Sequence, residues 1–143
     1  MSGRAELKCK IYPFGTLSSV KYVVVCSVYD GKYMLSQHKK RDTWETQGGH
    51  IEENETPMEA AKRELFEESG VTDAYLYPVC DYNGYDETGS ANGTVFFAKI
   101  HKLGSLPNSE MKRVEIFNSL PNNLTYPNVT PVLFEKALSI YKE

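Results

Sequence analysis

The chain has 143 residues, of which 41% are hydrophobic, 12% aromatic and 24% charged, the make-up of an ordinary globule. One domain, 1–143, is expected, able to bury about 68 to 70% of its unfolded surface without disulfide or structural-metal staples. Sixteen Lys and Arg against nineteen Asp and Glu leave a formal charge of -3, so no basic field exists to hold a nucleic-acid polymer.

The longest strongly apolar stretch, Tyr22 to Tyr29, is far short of the ~20 residues that span a bilayer, and Met1 to Lys10 has no signal-peptide core. A cytoplasmic protein without membrane contact is expected. Cys9, Cys26 and Cys80 lack the paired spacing of a zinc or redox motif and read as reduced, buried thiols.

Val20 to Tyr29 is rich in β-branched and aromatic residues, Asp30-Gly31 is a two-residue hairpin signal, and Lys32 to Gln37 resumes an alternating pattern. Two antiparallel strands follow. The polar segment His38 to Thr46 leads into Gly48-Gly49, where adjacent glycines predict a tight, exposed loop.

A helix is predicted over Pro57 to Ser69. Thr56 suits the N-cap, Pro57 the first helical position, Glu59 completes a capping box, and Gly70 supplies the stop. Met58, Ala61 and Leu65 form one apolar stripe that predicts packing on a sheet, and Glu59 and Arg63 are spaced as an i, i+4 ion pair.

Beyond it, Ala74 to Asp81 and Thr94 to His101 read as strands, joined by a polar connection, Tyr82 to Gly93, too long for a hairpin turn. A short strand around Lys112 to Phe117, a turn-rich stretch from Leu120 to Thr130 and a closing helix from Pro131 to Tyr141 complete the chain. The order predicts a mixed α+β architecture with helices on both faces of a sheet.

Glu64, Glu67 and Glu68 lie at i, i+3 and i+4, so their carboxylates leave one side of the helix and are expected to converge near the sheet. Between Glu52 and Glu68 stand seven glutamates against two basic residues, Lys62 and Arg63. Two carboxylates ~6 Å apart repel by roughly 3 kcal/mol at an effective dielectric near 20, against about 0.2 to 0.5 kcal/mol on an open helix. A hard divalent cation relieves that repulsion, and oxygen-only ligands suit Mg²⁺ or Mn²⁺. The plain alternative is a solvated acidic helix face, and spacing alone does not decide.

The longer pattern does decide. Gly49, five residues, Glu55, seven residues, Arg63-Glu64-Leu65, one residue, Glu67-Glu68, one residue, Gly70-Val71 resembles the Nudix box at every defining position. Chance agreement in a chain of this size is well below about one in a million. The box runs from 49 to 71, and weaker likeness to short, single-domain, MutT-like Nudix hydrolases extends over most of the chain.

That resemblance implies a Nudix fold, an α/β/α sandwich with a mixed sheet, and Mg²⁺-dependent cleavage of a phosphoanhydride bond in a small nucleotide. It implies Glu64, Glu67 and Glu68 as metal-binding and catalytic carboxylates, with the Gly48 carbonyl as a further ligand. Arg63 would orient neighbouring glutamates, Glu55 brace the loop, and Gly49 and Gly70 shape the box.

Ser109-Glu110-Met111-Lys112 resembles the region that often adds a carboxylate to such sites, which makes Glu110 the candidate ligand or base and Glu115 its substitute. Lys39, Lys40 and Arg41, on the approach to the glycines, are candidates for phosphate contact or form a solvated turn. Leu124-Thr125-Tyr126-Pro127-Asn128 resembles the stretch with which relatives that sanitise oxidised purine nucleotides hold the ring. Tyr126 would stack and Asn128 bond the base edge, or both serve structurally.

An 8-oxo-dGTP-type triphosphate, released as monophosphate and PPi, is the leading substrate. The alternatives are a linked diphosphate, such as a nucleotide sugar, dinucleotide or RNA cap-like end, and a non-catalytic nucleotide sensor. Gln47 departs from the proline common before the double glycine, which bears on the substrate more than on the metal. Gly-Gly-His also resembles isopentenyl diphosphate isomerases, whose catalytic cysteine motif has no counterpart here. His38, His50 and His101 receive no role, and a monomer or homodimer is expected.

Overall fold

A computed structural model describes residues 6–141. Their chain order is β1 (Lys8–Tyr12), β2 (Val20–Tyr29), β3 (Lys32–His38), β4 (Gln47–His50), α1 (Pro57–Ser69), β5 (Asp73–Asp86), β6 (Gly89–Lys102), β7 (Met111–Phe117) and α2 (Thr130–Ile140).

The strands form one seven-stranded sheet in which six follow the order β1-β5-β6-β2-β3-β7 and β4 pairs with β2 off that path. Only β2 and β6 run parallel; every other pair is antiparallel, so the sheet is mixed. Helix α1 covers one face over Val23, Val25, Met34, Phe96 and Ile100. On the other face Cys26, Val28, Leu35, Val95 and Phe97 pack with Leu133, Phe134 and Ala137 of α2. The α+β sandwich expected from the pattern is the one observed.

Helix α1 spans Pro57 to Ser69 as its end signals require. The Thr56 hydroxyl accepts from Glu59 N–H at 3.1 Å and the Glu59 carboxylate from Thr56 N–H at 2.8 Å, the reciprocal capping box. Gly70 closes it at φ 82, a left-handed conformation that glycine adopts without penalty. The i, i+4 pair between Glu59 and Arg63 does not form: Glu59 is engaged in the cap, and Arg63 turns to Glu52, Glu55, Glu64 and Glu67.

Three segments depart from expectation. Lys8–Tyr12, given no element from sequence, is an edge strand on β5. Tyr82 to Gly93 is no loose connection, because β5 and β6 continue as one hairpin paired from Asp73 with Lys102 to Asp86 with Gly89. The Gly48-Gly49 loop is in fact strand β4, which pairs with Tyr22–Val25 on the side of β2 whose remainder pairs with β3. Backbone pairing supplies what a glycine-rich sequence lacks in strand propensity.

Cys26 and Cys80 are buried, Cys9 is half-buried, and all three are free. No helix among the described residues is long and apolar enough to cross a membrane.

Candidate active site

Strand β4 and the last two turns of α1 meet edge to side. Gly48 N–H donates to Glu68 Oε1 at 2.9 Å, which ties the carboxylate helix to the sheet. Gly48 is needed for this approach, because a Cβ there would strike the carbonyl of Val23, whereas one on Gly49 would displace the Glu64 carboxylate.

Arg63 is the hub of the acidic loop. Its Nε and Nη2 hold both oxygens of Glu55 at 2.7 and 2.9 Å, and Nη2 also donates to the His50 carbonyl at 2.9 Å. Nη1 lies 3.0 Å from Glu64, 3.4 Å from Glu67 and 3.7 Å from Glu52. The guanidinium holds the Glu55 carboxyl down at about 2. Glu55 in turn accepts from Glu52 N–H at 2.9 Å, so it braces the loop ahead of α1.

Burial raises the pKa of Glu64, and the Arg63 hydrogen bond opposes that rise. Glu68 is pushed up to about 8, chiefly by burial and further by the charges of Glu64, Glu45 and Glu110, against the favourable bond from Gly48.

The expected convergence of Glu64, Glu67 and Glu68 is not observed in the form drawn from spacing. Among the described residues no three His, Cys, Asp or Glu side chains gather closely enough to hold a metal ion. Like charges on adjacent turns separate toward different donors, Glu64 and Glu67 to Arg63 and Glu68 to Gly48.

The donor set nevertheless fits a hard divalent cation. One guanidinium nitrogen draws oxygens of three glutamates to within 3.7 Å, and the charge of Glu68 lacks a positive partner in its partly buried setting. Oxygen donors in that imbalance match Mg²⁺ or Mn²⁺.

Glu68, Gly48 and Gly49 stand at one side of a cleft of about 540 Å³, within the range of small-ligand sites. Tyr22, Tyr82 and Tyr126 line it too, with the outer half of the β5–β6 hairpin and the start of α2. None of these three hydroxyls bonds another described residue.

Of the remaining predicted residues, Tyr126 enters the cleft and Asn128 is not among the side chains that line it. Lys39, Lys40 and Arg41 do not line it either: Arg41 is committed to Glu45 at 3.0 Å, and Lys39 Nζ lies 3.4 Å from Asn108. Glu110 is exposed just before β7, its carbonyl bonded to Lys39 N–H at 2.8 Å, with its charge felt at Glu68. Glu115 is exposed midway along β7.

Sequence reasoning missed Glu45, Tyr22, Tyr82 and His50. Glu45 is buried beside the cleft, and the His50 ring lies 4.6 Å from that of Tyr22. The only advance signal for Glu45 was its place three residues before Gly48. The tyrosines sit in strands whose register decides which face they present.

Comparison with known proteins bears on the family and the fold. The NUDIX domain pattern matches residues 19–128. Over 108 residues the chain is 33% identical to YtkD of Bacillus subtilis (strain 168), a protein proposed to be an 8-oxo-dGTP diphosphatase, covering 75% of this chain and 68% of that one. The crystal structure of the Bacillus subtilis pyrophosphohydrolase BsRppH superposes with a TM-score of 0.79 at 26% identity, over 95% of this chain and 92% of the other. A NUDIX-family hydrolase from Clostridium perfringens gives 0.68 at 25% identity, over 87% and 100%.

Proposed function

From the premise that this chain belongs to the Nudix family and is a nucleotide pyrophosphatase acting on phosphoanhydride bonds, we propose that it acts as one domain on a nucleoside triphosphate. An oxidised purine such as 8-oxo-dGTP is the leading substrate, cleaved to monophosphate and PPi with Mg²⁺, or Mn²⁺ in its place. The observation that carries this reading is the junction at which Gly48 grips Glu68, because it sets the carboxylate helix beside a cleft lined by three tyrosines.

Glu64, Glu67, Glu68 and Glu110, with the Gly48 carbonyl, would hold the metal. When bound, divalent cations supply positive charge to the phosphate oxygens and a nucleophilic water at neutral pH. Water attacks one phosphorus in line, the bond to the bridging oxygen breaks, and pyrophosphate leaves with that oxygen. Glu67, the most exposed of the trio, accepts the proton. Arg63 keeps Glu64 and Glu67 aimed from the box side.

The base enters between Tyr126, which stacks, and the hydroxyls of Tyr22 and Tyr82, which offer hydrogen bonds to its edge or to the sugar. Lys39 and Lys40, exposed outside the cleft, meet only phosphate oxygens that project beyond it. Arg41 acts by holding Glu45. Asn128, beyond the lining of the cleft, has a structural part in this reading.

A second reading is a nucleoside diphosphate joined to another group. A Mg²⁺-dependent hydrolysis screen over canonical and oxidised triphosphates, nucleotide sugars and dinucleoside polyphosphates separates the two. PPi plus a monophosphate is the expected product. Two phosphorylated fragments would favour the linked substrate, and no turnover across the panel would defeat both.

A further inference from the structure

Glu68 is held from a second direction. The last carbonyls of a helix have no partner within it. In α1 the Glu68 carbonyl accepts from the Ser36 hydroxyl of β3 at 2.7 Å. That hydroxyl accepts from Gln47 Nε2 at 2.9 Å, and Gln47 Oε1 accepts from the Ser27 hydroxyl of β2 at 2.6 Å. The remaining Gln47 amide hydrogen faces the Met34 carbonyl at 3.4 Å. Ser27, Ser36 and Gln47 are all fully buried.

We infer that Gln47 is a positioning residue: through Ser36 it fixes the backbone of Glu68, while Gly48, the next residue along the same strand, fixes its carboxylate. The inference rests on the metal-site reading above. Every donor in the relay points the same way, from Ser27 through Gln47 and Ser36 to Glu68, and bonds aligned head to tail polarise one another.

The amide is suited to this place because it supplies an acceptor to one serine and a donor to the other at once. A proline side chain supplies neither. An apolar side chain of similar length fills the space but leaves Ser27 without its acceptor and lets the Ser36 hydroxyl rotate away from the Glu68 carbonyl. The departure from the proline common before the double glycine is thus matched by two serines on neighbouring strands. The relay ends on the metal side of the cleft and touches none of the three tyrosines, so its loss is read in kcat and metal affinity rather than in KM.

The test compares Gln47→Met and Ser36→Ala with wild type in the full chain. Mn²⁺ binding is followed by electron paramagnetic resonance without substrate, kcat and KM with the triphosphate the wild type turns over, and Tm by circular dichroism. Both variants are expected to lose about tenfold in Mn²⁺ affinity and in kcat, with KM within about twofold. Mn²⁺ affinity and kcat within about twofold of wild type in both variants, whatever the fall in Tm, would overturn the positioning role and leave a purely structural network. Should Gln47→Met fail to melt cooperatively, Ser36→Ala, which removes a single oxygen, decides by the same readouts. Wild-type chain that binds Mn²⁺ yet hydrolyses no nucleotide counts against the substrate reading, while the Mn²⁺ comparison still judges the relay.

Discussion

Beside the cleft, the contiguous chain from Gln47 to Ser69 carries the glycines, the acidic loop and the carboxylate helix. The tyrosines of the same cleft, Tyr22, Tyr82 and Tyr126, arrive from β2, from β5 and from the segment before α2, separated by most of the chain, with Tyr22 paired to His50 of β4. The first region is set by local rules: a capping box, a left-handed glycine stop, and an arginine that gathers neighbouring glutamates. The second is set by register and by sheet order. In the proposed reading the metal-holding side chains, Glu110 apart, therefore come from one short stretch, and those that would hold the substrate are scattered.

The sharpest way to break this division is at the carboxylates. Glu67→Gln or Glu68→Gln is expected to lower kcat about a hundredfold or more, with circular dichroism and cooperative melting preserved. Near-normal turnover in both variants would remove the metal helix from the reaction.

Arg63→Lys comes next. An ammonium cannot hold both oxygens of Glu55 and the His50 carbonyl while also facing Glu64 and Glu67. About a tenfold loss of kcat and a lower Tm are expected, and an unchanged Tm would show that the loop does not depend on the hub.

At the tyrosines the effects belong to KM. Tyr126→Ala is expected to raise KM about tenfold by removing an aromatic plane, and Tyr82→Phe, which deletes one hydroxyl, only about threefold. A change in kcat with KM untouched would place either tyrosine on the wrong side of the comparison.

The smallest effect is one of pH. Folding in the absence of metal leaves the Glu68 carboxyl at about 8 in place of the ordinary 4.5, so the folded chain binds more protons than the unfolded one between those values. Stability of the metal-free chain therefore falls as pH rises through that window. Mn²⁺ competes with the same proton, so its affinity rises over the same range. Melting of chelator-treated protein from pH 5 to 8 should show Tm declining in wild type and a flatter profile in Glu68→Gln. A wild-type Tm that rises across the window would contradict the sign.

The same contrast explains what could be read in advance. Helix α1 was legible to the residue because Thr56, Pro57, Glu59 and Gly70 act within a turn of where they stand. Strand β4 was not, since Gln-Gly-Gly-His has little strand propensity and becomes a strand only by pairing with Val23 and Val24 and by sitting against α1. The polar run Tyr82 to Gly93 was lost for the same reason: Asn83, Gly84 and Ser90 look like loop until the partner strand is in place. Lys39 to Arg41 show the reverse: residues near the glycines in sequence stand outside the lining of the cleft. Glu45 escaped because only the fold brings its charge near Glu68.

The interior thiols carry a consequence for how the molecule can be watched. Burial raises the pKa of Cys26 well above the ordinary thiol value, with Cys80 beside it adding to the rise, and pushes that of Cys80 up to about 11. Both lie in the α2-side core, closed to reagents that attack thiolates. A brief pulse of alkylating agent at mildly alkaline pH would therefore tag these two positions only in molecules whose core has opened, so the unmodified chain contains its own counter of global unfolding events.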